Sequence, residues 1–109
     1  MVDDLVEPKP GPGWRLNPHN RDGWECEQYF AADGECIAVV EGPDGDDAPS
    51  YPHAFDPVEK VWRRGGAYRG LVEAKAWAER IASISPRKPD ENLGAPHHPM
   101  IGRDPSVRF

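Results

Sequence analysis

Trp24 to Phe30 alternates along the chain: Trp24, Cys26, Gln28 and Phe30 fall on one side, Glu25, Glu27 and Tyr29 on the other. A period of two predicts a strand with one buried and one wetter face. Asp33-Gly34 follows, a dipeptide favoured in two-residue type I′ hairpins. Cys36-Ile37-Ala38-Val39-Val40 supplies the returning strand. With Asp33 and Gly34 as the turn, Phe30 faces Ile37 and Cys26 falls opposite Glu41. Trp24, Cys26, Phe30, Ile37 and Val39 then share one face, and Cys36, Ala38, Val40 and Tyr29 share the other.

The period changes after Gly70. Leu71, Ala74, Trp77, Ala78, Ile81 and Ile84 recur every three or four residues, which predicts an amphipathic helix over 71–84. Gly70 serves as its N-cap, Glu73 suits the positive end of the dipole, and Ser85-Pro86 ends it. Between hairpin and helix the pattern is weaker. In Tyr51 to Asp56, Pro52 suggests an edge strand or an extended segment. Val58 to Arg63 reads as a further strand before Gly65-Gly66 breaks the chain. Trp14-Arg15-Leu16 begins the ordered part as a short strand, and residues 17–23 form a turn. The fold expected is α+β, a small antiparallel sheet of three to four strands with one amphipathic C-terminal helix on one face. The helix stripe Leu71, Ala74, Ala78 and Ile81 is expected to meet Trp24, Phe30, Ile37 and Val39.

Proline and glycine set the domain limits. Eight of the 13 prolines lie in residues 1–13 or 85–109, while nine of the ten aromatic residues lie between Trp14 and Ile84. Residues 1–13 therefore read as an extended Pro/Gly leader, 14–84 as a single α+β domain, and 85–109 as a Pro-rich extended tail. A unit of roughly 70 residues is near the lower limit for a self-sufficient core.

The formal net charge is −6. That disfavours nucleic acid, which requires a dense basic patch, and anionic membrane surfaces. No apolar run approaches the roughly 18 residues of a membrane span. The start, Met1-Val-Asp-Asp, lacks the basic and apolar regions of a secretory signal, so a cytoplasmic location is expected. Cys26 and Cys36 sit about 16 Å apart along the predicted ribbon, beyond the ~7 Å a disulfide spans, and are read as free thiols. The preference for Arg over Lys, with abundant Ala, Gly and Pro, resembles the usage of GC-rich bacterial and phage genomes.

Candidate chemistry is sparse. His97 and His98 with Asp90 and Glu91 lack the two separated ligand pairs of a zinc site, so no metal and no cofactor are expected. Asp44-Gly45-Asp46-Asp47 lacks the alternating ligands and terminal glutamate of a calcium loop. Cys36 beside Glu35, or His19 near Asp22, are sequence neighbours rather than a catalytic constellation. Trp62, Arg63, Arg64, Tyr68 and Arg69 group arginine with aromatic rings, a composition that interfaces favour and that also stacks on bases. The tail adds Leu93, Met100, Ile101 and Phe109, which cannot form a core alone and suit docking as an extended peptide. The expected function is a non-enzymatic protein-interaction module: a small accessory subunit, adaptor or inhibitor with another protein as partner. The alternatives are a nucleic-acid-binding or nucleic-acid-mimicking regulator and a small enzyme using His19 or Cys36.

Overall fold

The computed structural model describes residues 12–17, 22–45 and 47–97. They form six strands and one helix: β1 (Gly13–Leu16), β2 (Trp24–Phe30), β3 (Cys36–Pro43), β4 (Tyr51–Asp56), β5 (Val61–Arg64), α1 (Leu71–Ile81) and β6 (Ala95–Pro96). The strands make one antiparallel sheet in simple sequence order, β1 to β6. The class is the expected α+β with a helix on one face. The sheet has six strands rather than three to four, and the helix is followed by a further strand.

The hairpin between β2 and β3 keeps the expected register over most of its length, with Cys26 opposite Glu41 and Tyr29 opposite Ala38. Its turn is longer by one residue. Ala31 N–H donates to the Glu35 carbonyl and Gly34 N–H to the Ala31 carbonyl, so the loop is Ala32-Asp33-Gly34, with Gly34 at φ +87°. That is a type I turn closed by a left-handed glycine. An irregularity between Tyr29 and Phe30 restores the register and pairs Phe30 with Cys36 instead of Ile37. Cys36 therefore joins the face of Gln28 and Cys26, and Ile37 packs against the helix-side core.

The helix occupies the face opposite to the one the bulky residues suggested. Ala38, Ala54, Trp77, Ala78, Ile81 and Ala82 form the buried cluster, with Trp14, Tyr29, Ile37, Tyr68 and Leu93 packed around it. The reason lies in one row across the sheet. The pairings Trp14–Tyr29–Ala38–Ala54–Arg63–Pro96 are continuous from β1 to β6. Large side chains stand at the flanks and two alanines at the centre, so the row is a trough. The neighbouring row supplies Val40 and Pro52, and Gly65 beyond, where an added Cβ would come within 3.0 Å of Pro52 and 3.3 Å of the Trp77 ring. Trp77 and Ile81 fill this trough and are buried. Trp24, Phe30 and Val39 lie on the other side.

Pro52 is not at an edge, because β4 lies between β3 and β5. Its carbonyl accepts from Gly65 N–H, beyond the last β4–β5 rung at His53–Arg64. Carbonyl and amide of one strand residue point the same way, so the missing N–H removes only the reciprocal bond to Gly65 at the end of the β4–β5 ladder and none to β3. Residues 57–60 form the turn into β5, which starts at Val61. The helix ends at Ile81, with Ser83 in the left-handed region at φ 64°. Ser83 N–H donates to Arg80 and Ile84 N–H to Glu79, a Schellman closure that stops the helix three residues before the limit expected from periodicity.

Residues 86–97, read from the sequence as the start of an extended tail, return across the helix side of the sheet. Trp77 Nε1 donates to the Asn92 carbonyl at 2.9 Å, Leu93 joins the core cluster, and Ala95 and Pro96 pair with Arg64 and Arg63. Met100, Ile101 and Phe109 lie outside the described residues.

Candidate functional site

The sheet face away from the helix carries a second continuous row: Arg15–Gln28–Val39–His53–Arg64. Arg15 and Arg64 are exposed, with Ala95 of β6 beyond Arg64, while Val39 and His53 between the two arginines are buried. Four strand spacings separate the guanidinium-bearing positions, roughly 19 Å. Phe30, Phe55 and Trp62 lie on one side of this row and Trp24 and Tyr51 on the other, all half-buried. Phe55 and Trp62 pair edge to face with centroids 6.0 Å apart. Among the described residues, no helix lies over this face.

Its acidic group is turned inward. Glu41 accepts from Trp24 Nε1 at 3.1 Å and lies 2.9 Å from His53 Nε2. His53 Nδ1 is 2.7 Å from Nε2 of His97, which β6 delivers to the same face. A carboxylate only accepts, so His53 Nε2 carries its proton. In the neutral ring Nδ1 then accepts from His97. The chain Glu41–His53–His97 fixes the end of β6 to β4 and β3 and leaves no exposed carboxylate along the row.

Cys26 and Cys36 are not joined in a disulfide. Burial pushes Cys26 up to about 12, assisted by the charge of Glu41 and opposed by the Asn17 amide. Burial pushes Cys36 up to about 11 against hydrogen bonding with Ala38 and Gln28. Both are held as thiols, the unreactive form. Among the described residues, no three His, Cys, Asp or Glu side chains are placed to hold a metal ion. His19 lies outside the described residues.

On the helix side, Asp56 is fully buried. Its carboxylate takes Arg63 Nε at 2.8 Å, an Arg87 nitrogen at 2.9 Å, and the backbone N–H groups of Val58 and Glu59. Burial alone would raise its pKa, but the two guanidinium groups and the two amides outweigh it and hold the group at about 2. Arg63 also donates to the Gly94 carbonyl. This cluster joins β4, β5 and the returning segment, and is a fixture of the fold.

The residues singled out from sequence are therefore dispersed. Trp62 and Arg64 are on the open face. Arg63 is pinned behind it by Asp56. Tyr68 and Leu93 pack beside the helix core, and Arg69 is exposed near the start of α1. Sequence reasoning missed Arg15, Phe55 and the Glu41–His53–His97 chain, because cross-strand rows depend on pairings that a linear pattern does not contain. A cleft of about 660 Å³ lies between α1 and the 88–92 turn, where Glu91 pairs with Arg80. Comparison with protein-family models, with curated proteins and with solved structures gives no match.

Proposed function

We propose that this chain is a non-enzymatic protein-interaction module whose contact surface is the open face of the sheet. The observation that carries the reading is the row Arg15–Gln28–Val39–His53–Arg64, with half-buried aromatic rings on both sides and its carboxylate consumed by Trp24 and His53. The chain as a whole carries −6, yet this face presents arginine and aromatic side chains, the types that dominate interface energetics. Charge complementarity selects the occupant: an acidic segment of another protein with apolar side chains to lie against Trp62, Phe55 and Trp24.

Selection from a random peptide library on the immobilised full chain tests this. The selected peptides should be rich in Asp or Glu and in apolar residues. Arg64→Glu should weaken them by roughly tenfold, and Arg15→Glu should act in the same direction. Enrichment of basic peptides, or indifference to both substitutions, would refute the reading. Preferential, salt-dependent binding of a single-stranded oligonucleotide would refute it in favour of base stacking on the same rings.

A further inference from the structure

The cleft beside α1 contains a group that the fold leaves incomplete. Glu91 is drawn in after the helix, and its side chain is only 6% exposed. Oε1 accepts from Arg80 Nε. Oε2 is buried and has no hydrogen-bond partner among the described residues. Arg80 thus satisfies one oxygen of the carboxylate and leaves the other, although a guanidinium is built to hold both. Native proteins satisfy most buried polar atoms, so an orphaned carboxylate oxygen on a residue that lines a cleft points to a missing donor.

The walls indicate what kind of donor. Trp77, Arg80 and Glu73 come from one side of α1, the 88–92 turn closes the opposite side, and Tyr68 completes the lining. Tyr68 is half-buried, and its hydroxyl pKa is raised by burial and then by the Glu91 charge. Glu73 and Asp90 add two carboxylates to the lining against the single further ammonium of Lys88, and that balance favours a cation over a neutral donor. Arg80 is already spent on Glu91 Oε1, so its charge does not oppose entry at full strength. The cleft volume lies in the range that holds small ligands or a single side chain.

We infer that the cleft between α1 and the 88–92 turn binds a protonated nitrogen cation, guanidinium or primary ammonium, through Glu91 Oε2. A side chain of a protein partner and a free small amine present the same chemistry. This site lies on the opposite side of the molecule from the sheet face, and it stands or fails independently of the function proposed above.

The test is an amide-detected NMR titration of the full chain with N-acetyl-arginine amide, its lysine counterpart, the neutral citrulline analogue and free methylguanidinium. Saturable shifts confined to Tyr68, Ala76 and residues 88–92 are expected for at least one cation, and none for citrulline. Tight binding of the amino-acid amides over methylguanidinium indicates a peptide source, and equal binding a small amine. Glu91→Gln should raise Kd roughly tenfold or more. Because that change also loosens Arg80, Glu73→Gln provides a second variant that leaves the pair intact and should raise Kd two- to threefold. Absence of saturable shifts in the native chain, equal response to citrulline, or shifts spread over the whole acidic surface would each overturn the assignment. So would an experimental structure at saturating cation in which Oε2 meets only water.

Discussion

Asp56 shows how much one side chain can hold in place. Two arginines, Arg63 from β5 and Arg87 from the segment after the helix, end on its carboxylate, and two amides of the 57–60 turn complete it. Asp56→Ala removes the acceptor and leaves two guanidinium groups against the core. It is expected to cost roughly 3–5 kcal/mol in urea unfolding. The pH dependence follows from the depressed pKa. The group is held at about 2 against an ordinary 3.8, so its contribution is complete above about pH 5 and is lost as the pH falls through 4 toward 2. The loss amounts to about 2 kcal/mol. Unfolding midpoints measured from pH 6 to pH 2 should show that decline, and Asp56→Ala should flatten it. At Ser83 the expectation has the opposite sign. A serine holds a left-handed position at φ 64°, where glycine incurs no Cβ clash. Ser83→Gly should therefore stabilise the chain by about 0.5–1 kcal/mol in the same assay.

At the scale of elements, the sequence reveals periods well and partners poorly. The alternation from Trp24 to Phe30 and the helical stripe from Leu71 were legible because each is a property of a few consecutive residues. Which face of the ribbon the helix would take was not. Bulk suggested Trp24, Phe30 and Val39, yet the helix settled over Ala38 and Ala54, because a helix carrying Trp77 needs a floor it can sink into. The signal was present as the run of small residues Ala38, Val40 and Gly42 with Pro52 and Ala54. It becomes readable only when small side chains are weighed as space rather than as weak hydrophobes. The extra hairpin residue moved Phe30 and Cys36 for a related reason: a Gly at φ +87° serves a three-residue turn as well as a two-residue one. The open-face row required all four pairings at once, and no local pattern encodes Arg15 beside Gln28 or His53 beside Arg64.

At the scale of the molecule, the largest departure from the sequence reading is the segment after the helix. Its composition is that of a tail: Pro86, Pro89 and Pro96 with scattered charges. It is retained by contacts spread one per few residues, namely Arg87 to Asp56, Glu91 to Arg80, Asn92 to Trp77 and Leu93 to the core. A chain truncated after Ser85 should therefore lose more than an appendage. Without these contacts Trp77, Asp56 and the β5 edge are uncovered together, and circular dichroism and thermal unfolding should report a fold destabilised by several kcal/mol. A truncated chain as stable as the full one would show that residues 86–97 are dispensable.

The position of the helix between the fifth and sixth strands also divides the sheet by distance along the chain. Each of the first five strands lies beside the one before it in sequence. The sixth reaches its neighbour only across the whole of Leu71–Ile81, and without it the sheet would present an uncapped margin at Val61–Arg64. The brief stretch Ala95–Pro96, ending in an imino acid that cannot extend the ladder, closes that margin and offers no template for another chain to join.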